Sequence, residues 1–267
     1  MNPFLEVAIE TAREAGAILR AEFSRPVKIS YKGEVDLVTQ ADKRSEEAIV
    51  TRLRNHFPKH AIVAEEGGGQ ETDSPFRWHV DPLDGTTNFA HGYPCFAVSL
   101  GLEEAGEPIV GVIYQPLTEE LFVAAKGEGA YLNQKKISVS RIETLATSLL
   151  CTGFPSNKRA QNPNIQYYSD FTLRSHGVRR DGSAAMDLAS VACGRFDAFW
   201  EFGLRTWDAA AGIVLVREAG GAVTHFDGQP YRLGDREIMA TNGLIHQEMK
   251  EVAISISERI EYKPQNP

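Results

Sequence analysis

Apolar residues along the chain change their period twice. Leu5, Ala8, Ile9, Ala12, Ile18, Leu19 and Phe23 recur every three or four positions behind Asn2-Pro3. That spacing predicts an amphipathic helix with an asparagine cap and a proline at its first position, running to about residue 23. Pro26 stops it, residues 27–31 read as a short strand, and Lys32-Gly33 as a turn. A second helix is predicted over residues 40–56, with Ala41, Ala48, Ile49 and Leu53 on one side and charges on the other. Two short apolar strands follow. One, residues 61–64, ends in Glu65-Glu66 and three glycines; the other, from Trp78, ends at Asp81.

From residue 95 to 137 the texture is strand-rich. Runs at 96–100, 109–114, 121–124 and 130–132 are parted by turns at Ala105-Gly106, Pro116 and Gly127-Glu128-Gly129, which predicts an antiparallel meander. After about Ser140, strand and helix patterns alternate to a last helix over about 244–254. The fold class read from this is α+β passing into α/β, with a soft boundary between residues 1–142 and 143–267.

Composition narrows the function classes. The net charge of −8 argues against a general nucleic-acid binder, and metal ions can still supply local positive charge for an anionic substrate. Cys95, Cys151 and Cys193 are far apart with no CxxC pair, the usage of a reduced cytoplasmic protein. The charged N-terminus does not read as a signal peptide, and no apolar run is long enough to span a membrane.

Chemistry concentrates in the stretch Asp81-Pro82-Leu83-Asp84-Gly85-Thr86-Thr87-Asn88-Phe89. Two carboxylates at a strand tip, with the Leu83 carbonyl between them, form a plausible oxygen set for Mg²⁺. Gly85 lets the backbone approach a ligand, and the Gly85 and Thr86 N–H groups can meet a phosphate. The local string alone is also compatible with a surface turn, which is the weaker of the two readings. Asp42 and Asp208 each fall in the first turn of a helix, where either can be no more than a carboxylate favoured by the helix dipole. Thr206 is the expected cap of the helix that carries Asp208. Four acids at strand tips or helix starts (Glu65, Asp81, Asp84 and Asp208) are about the number that two or three oxygen-ligated cations require.

These strings resemble the inositol monophosphatase family. Residues 81–89, together with Trp207-Asp208-Ala209-Ala210-Ala211-Gly212 closing in Glu218-Ala219-Gly220-Gly221, look like its two signatures. Glu65-Glu66, the stretch from Asp36 to Asp42, Arg179 to Ala189 and Phe199-Trp200-Glu201 match further elements in order, so the likeness covers about residues 5–250. The bacterial and archaeal branch is the nearest.

The resemblance implies a layered αβαβα sandwich and a Mg²⁺-dependent phosphatase. Glu65, Asp81 and the Leu83 carbonyl would hold a first ion, and Asp81, Asp84 and Asp208 a second. Glu65 would anchor a weaker third ion through water. Asp42 and Thr86 would orient and deprotonate the attacking water. Gly85 and Thr86 would bind phosphate; Glu201 and the Gly182-Ser183-Ala184 backbone would contact the polyol, with Asp84 shared between metal and sugar. Inositol 1-phosphate is the expected substrate. Fructose 1,6-bisphosphate, histidinol phosphate, a nucleotide 3′-phosphate or an added scaffold role in RNA processing or transcription are the alternatives. The resemblance further implies lithium sensitivity and a homodimer, for which the residues around 93–102 and 165–171 are the suspected surfaces. Clustered acids also predict that the loop after Glu65 is loosely ordered without metal.

Overall fold

The computed structural model describes residues 2–24, 29–31, 37–154 and 162–260. The expectations at Pro26, Lys32-Gly33 and Asp36 lie outside them. Helix α1 (Pro3–Phe23) begins where the Asn2 side chain accepts the Phe4 N–H at 3.0 Å. Strands β1 (Ile29–Tyr31) and β2 (Leu37–Thr39) form an antiparallel pair, and α2 (Gln40–His56) starts on the Thr39 cap.

A seven-stranded sheet follows: β3 (Ala61–Ala64), β4 (Phe76–Asp84), β5 (Ala97–Glu104), β6 (Glu107–Gln115), β7 (Glu120–Ala125), β8 (Gly129–Leu132) and β9 (Lys135–Lys136), in that spatial order. The pair β3–β4 is parallel and the rest is the antiparallel meander that the alternation predicts. The short helix α3 (Thr86–Ala90) leaves the tip of β4.

The second sheet contains β10 (Leu149–Thr152), β11 (Gly177–Arg179), β12 (Ala198–Phe202), β13 (Ala222–Thr224) and β14 (Glu237–Thr241), ordered β11-β10-β12-β14-β13. Between its strands run α4 (Asn164–Arg174), α5 (Ala184–Ala192) and α6 (Thr206–Glu218), and α7 (His246–Arg259) closes the chain. Three apolar cores give five layers. Helices α1 and α2 cover one face of the large sheet; α5 and α6 fill the space between the sheets; α4 and α7 cover the outer face of the small sheet. This is the αβαβα sandwich.

Helix α6 follows the small sheet's β12 in sequence, yet lies flat on the large one. A Cβ at Gly101 would stand 2.5 Å from the Ala210 Cβ, and one at Gly111 would run into the Ala211 carbonyl. Glycine at both positions lets the helix backbone approach the strands directly. At its far end Glu218 accepts the N–H groups of Gly127 (2.9 Å) and Gly129 (2.8 Å), tying α6 to the β7–β8 turn.

Two expectations are corrected here. Phe96, Val98, Leu100 and Leu102 are fully buried in the core that α1 and α2 cover, and Gly101 on the other face meets α6, so this run is core and offers no surface; Tyr167 and Phe171 are likewise interior. Alternation identifies a strand but does not say whether one face or both are covered. The glycines after Glu65 are also held. The Glu46 carboxylate accepts Glu66 N–H (2.7 Å) and Gly68 N–H (2.8 Å), while Arg54 donates to the carbonyls of Gly68 and Gly69.

Candidate active site

The site is built on an irregularity in β4. Asp81 pairs with Ser99 and Asp84 with Ala97, so three steps on β4 face two on β5. The extra residue falls at Pro82-Leu83, where proline has no N–H to give the ladder. In an unbroken strand, positions 81 and 84 would point to opposite faces; the bulge removes that offset and puts both carboxylates on one side. Leu83 N–H returns to Asp81 Oδ1 at 3.0 Å. Gly85 then turns the chain at φ 95°, where a Cβ would sit 2.9 Å from the Cys95 carbonyl, and starts α3.

Glu65 arrives beside this tip because its N–H continues the β3–β4 pairing onto the Val80 carbonyl, at 3.2 Å. Asp208 arrives from α6, its carboxylate accepting the Arg205 N–H at 2.7 Å. Asp84 accepts the Ser183 hydroxyl at 2.5 Å and the Ala185 N–H at 2.7 Å, at the start of α5. Burial pushes Asp81 well above the ordinary carboxylate range, and the charges of Glu65, Asp84 and Asp208 push the same way. Asp208 is raised by burial and by Asp84, and Asp84 is pushed up to about 6, mainly by burial, against its bonds from Ser183 and Ala185. The sequence-predicted acids therefore do come together, as a cluster that repels itself.

Asp42 is fully buried among hydroxyls. Its Oδ2 accepts the Thr39 N–H (2.8 Å) and the Thr39 hydroxyl (2.5 Å). Thr86 Oγ1 lies 3.0 Å from Asp42 Oδ1 and 3.0 Å from the Leu83 carbonyl, so its single proton serves one of them at a time. Burial raises Asp42, and the bonds from Thr39 and Thr86 oppose the rise. Ser45, one turn along α2, donates to the Pro82 carbonyl at 2.9 Å and fixes α2 to the bulge.

On the opposite wall Glu201, at the end of β12, is 7 % exposed. Burial raises it, with Asp208 and Asp84 adding to the rise and Arg180 opposing it. Its carboxylate lies where a Cβ of Gly153 would be. Gly182 and Ala184 flank Ser183 at the start of α5, next to Asp84. The donor set is all oxygen and hard, and it gathers the buried carboxylate of Asp81 and the half-buried ones of Glu65, Asp84 and Asp208 with too little positive charge among them. That is a fit for a cation such as Mg²⁺. Among the described residues no three of these side chains already form a coordination shell; Asp81, Asp84 and Asp208 each turn an oxygen to a protein donor.

The chain matches the family described as "Inositol monophosphatase family" over residues 1–262. It is 48 % identical over 255 residues to the inositol-1-monophosphatase of Synechocystis sp., covering 94 % of this chain and 88 % of that protein. It is 42 % identical to the Nus factor SuhB of Pseudomonas aeruginosa, covering 91 % and 92 %. The solved inositol monophosphatase of Anabaena (Nostoc) sp. superposes with a TM-score of 0.87 at 44 % identity over 97 % of this chain and 98 % of that one. The chain belongs to the inositol monophosphatase family.

It is thus an enzyme, a phosphatase acting on phosphoric monoesters, of a metal-dependent family. Several residues that shape this inositol monophosphatase site escape a reading of motifs. Asn88 donates to the carbonyls of Cys95 and Asp181, both at 2.7 Å, and so joins α3 to the turn before α5. Buried Asn164 donates to Gly153 O at 2.5 Å and accepts Trp200 Nε1–H at 2.6 Å, holding the wall on which Glu201 rests. Asp187 is 1 % exposed, with no firm hydrogen-bond partner for either oxygen, and burial holds it well above the usual carboxylate range. His79 is 2 % exposed, and burial pushes it below its ordinary value, so the ring is neutral near pH 7. The three cysteines are free. Among the described residues, no helix is long and apolar enough to cross a membrane.

Proposed function

We propose that the protein hydrolyses the phosphate ester of a small polyol, inositol 1-phosphate first among them, with two or three Mg²⁺ ions. One observation carries this reading: half-buried Asp84 and Asp208 stand with buried Asp81, and the charge of Glu65 raises all three, an arrangement that needs cations opposite it. Glu65, Asp81 and the Leu83 carbonyl would hold the first ion; Asp81, Asp84 and Asp208 the second; Glu65, through water, a weaker third. When bound, the ions lower the pKa of water and neutralise charge on both the attacking and the leaving oxygen.

The chain's own residues do the rest. Asp42 takes the proton of the attacking water, and Thr86, bonded to Asp42, orients that water. Gly85 and Thr86 N–H groups face the phosphate. Glu201 and the 182–184 backbone accept and donate to the polyol hydroxyls, and Asp84 serves metal and sugar together. In-line attack then needs positioning and charge stabilisation, with no covalent enzyme intermediate. Arg180, near enough to Glu201 to lower its pKa, suits a second phosphate and keeps a sugar bisphosphate as the runner-up substrate. An added role in transcription is supported by the relative named Nus factor SuhB. We further propose a homodimer, with Tyr93, Ile165 and Leu173, three of the exposed apolar residues, in or next to the suspected stretches as its contact.

A phosphate-release screen over inositol 1-phosphate, fructose 1,6-bisphosphate, histidinol phosphate and a nucleotide 3′-phosphate, with Mg²⁺ and with a chelator, tests the reading. Release from inositol 1-phosphate that the chelator abolishes is expected. Equal release with chelator overturns the metal assignment, and a preference for another ester overturns the substrate.

A further inference from the structure

His79 and Thr206 have no part in the roles above, yet each stands two residues before an acid of the cluster. His79 precedes Asp81 on β4, and Thr206 precedes Asp208 on α6. Nδ1 of His79 is 2.9 Å from Thr206 Oγ1, and Nε2 is 2.9 Å from Glu103 Oε2 on β5. An ionised carboxylate only accepts, so in the neutral ring Nε2 carries the proton and Nδ1 is left as an acceptor for the Thr206 hydroxyl.

Thr206 is the first residue of α6, and Arg205 occupies the cap. The threonine hydroxyl is therefore turned away from its own helix. It reaches across 127 residues of sequence to the strand that carries Asp81 and Asp84. The glycine contacts at 101 and 111 fix the body of α6 on the sheet. Its first turn is pinned by Thr206 and by Ser99 Oγ, which donates to the Trp207 carbonyl at 3.3 Å. Asp208 is the acid in that turn.

We infer that Glu103, His79 and Thr206 form a positioning relay for the second cation, setting how Asp208 stands relative to Asp81 and Asp84. This rests on the metal roles proposed above. No ligand of the first ion lies on α6, so the relay acts on one ion and spares the other. His79 and Thr206 are positioning residues, since neither meets substrate or metal.

The test is calorimetric titration of Mg²⁺ into the metal-free full chain, with the melting temperature of each metal-free variant measured alongside. Thr206→Val keeps the shape and removes the hydroxyl. It is expected to weaken the second binding event about tenfold or more, the usual effect of losing a group that orients a metal ligand, with the first event unchanged. Thr206→Ser restores wild-type binding. His79→Asn, whose amide oxygen falls near the Nδ1 position, retains more second-ion affinity than His79→Gln, which reaches only towards Nε2; this pair decides the matter if Thr206→Val does not fold. A lowered melting temperature with unchanged Mg²⁺ binding makes the relay merely structural and overturns the inference, as does equal weakening of both events. Wild-type protein that binds no Mg²⁺ overturns the metal reading itself and the inference with it.

Discussion

At the start of α2 and at the start of α6, an aspartate occupies the third helical position and accepts the N–H of the residue before the helix. Asp42 does so from Thr39 at 2.8 Å, and Asp208 from Arg205 at 2.7 Å. Locally the two are one device, a carboxylate satisfying an orphan donor of a helix start. Their surroundings differ. Asp42 faces the hydroxyls of Thr39 and Thr86, and its shift is set by burial and opposed by those bonds. Asp208 faces the charges of Asp84 and Glu65. The helix start holds the carboxylate, and whatever the rest of the fold brings opposite decides its chemistry. Hydroxyls suit proton transfer; other carboxylates suit a cation.

The strongest way to break this contrast is Asp208→Asn. Removing one charge from the cluster is expected to lower turnover at least about 10³-fold, because several kcal/mol of charge stabilisation in the transition state are lost. Mg²⁺ binding should fall with it, while the metal-free melting temperature holds or rises because repulsion is relieved. Near-normal turnover would place Asp208 outside the metal site. Asp42→Asn should fail differently. Calorimetry is expected to show Mg²⁺ binding intact while kcat drops roughly 10²–10⁴-fold, the usual worth of a general base. Lost Mg²⁺ binding in this variant would erase the difference between the two aspartates.

A pH series sharpens the contrast without mutation. Asp84 is an ordinary carboxylate at 3.8 when unfolded and is pushed up to about 6 in the fold. The folded protein therefore holds this proton more tightly. The stability so contributed is complete below about 3.8, declines as pH rises, and is gone above about 6. Asp81 and Asp208 shift in the same direction. The metal-free melting temperature is expected to fall between about pH 4 and about pH 6, and saturating Mg²⁺ should abolish the fall. A flat metal-free profile would contradict the buried, uncompensated cluster. A smaller effect is expected of Thr39→Ala. Thr39 Oγ1 accepts the Ala41 N–H at 3.1 Å, and losing that cap costs about 1 kcal/mol in a denaturant melt. Thr206→Ser keeps the hydroxyl that meets His79 and should cost far less in the same melt; an equal loss would mean that the threonine's methyl, and not its hydroxyl, is what the fold uses.

That last pair marks where sequence stops being informative. The starts of α1 and α2, the meander and the alternating second half are legible because caps and apolar period are local properties. So is a carboxylate at the end of an apolar strand. Thr206 looks like a cap because threonine before a small-residue helix satisfies the capping rule, while the partner that claims its hydroxyl is far away in the chain. The bulge at Pro82-Leu83 is visible only in the register with β5, so the motif alone cannot say that Asp81 and Asp84 share a face. Gly67, Gly68 and Gly69 read as a loose loop because glycine has no side chain of its own to anchor it. The anchors are Glu46 and Arg54, on another element. Asn164 and Gly153 act through backbone carbonyls and missing atoms, which leave no mark in a pattern of types.

The close seating of α6 on Gly101 and Gly111 also says something about the order in which the enzyme comes into being. Synthesis delivers Glu65, Asp81 and Asp84 long before Asp208, and chains fold largely in the order in which they emerge. While the large sheet forms, its fourth acid is still absent and the strand tip carries less mutual repulsion. Docking of α6 buries the helix and completes the repelling cluster in a single late event across a long loop. A divalent cation present at that moment would act as an assembly factor, speeding the final closure as well as serving the finished catalyst.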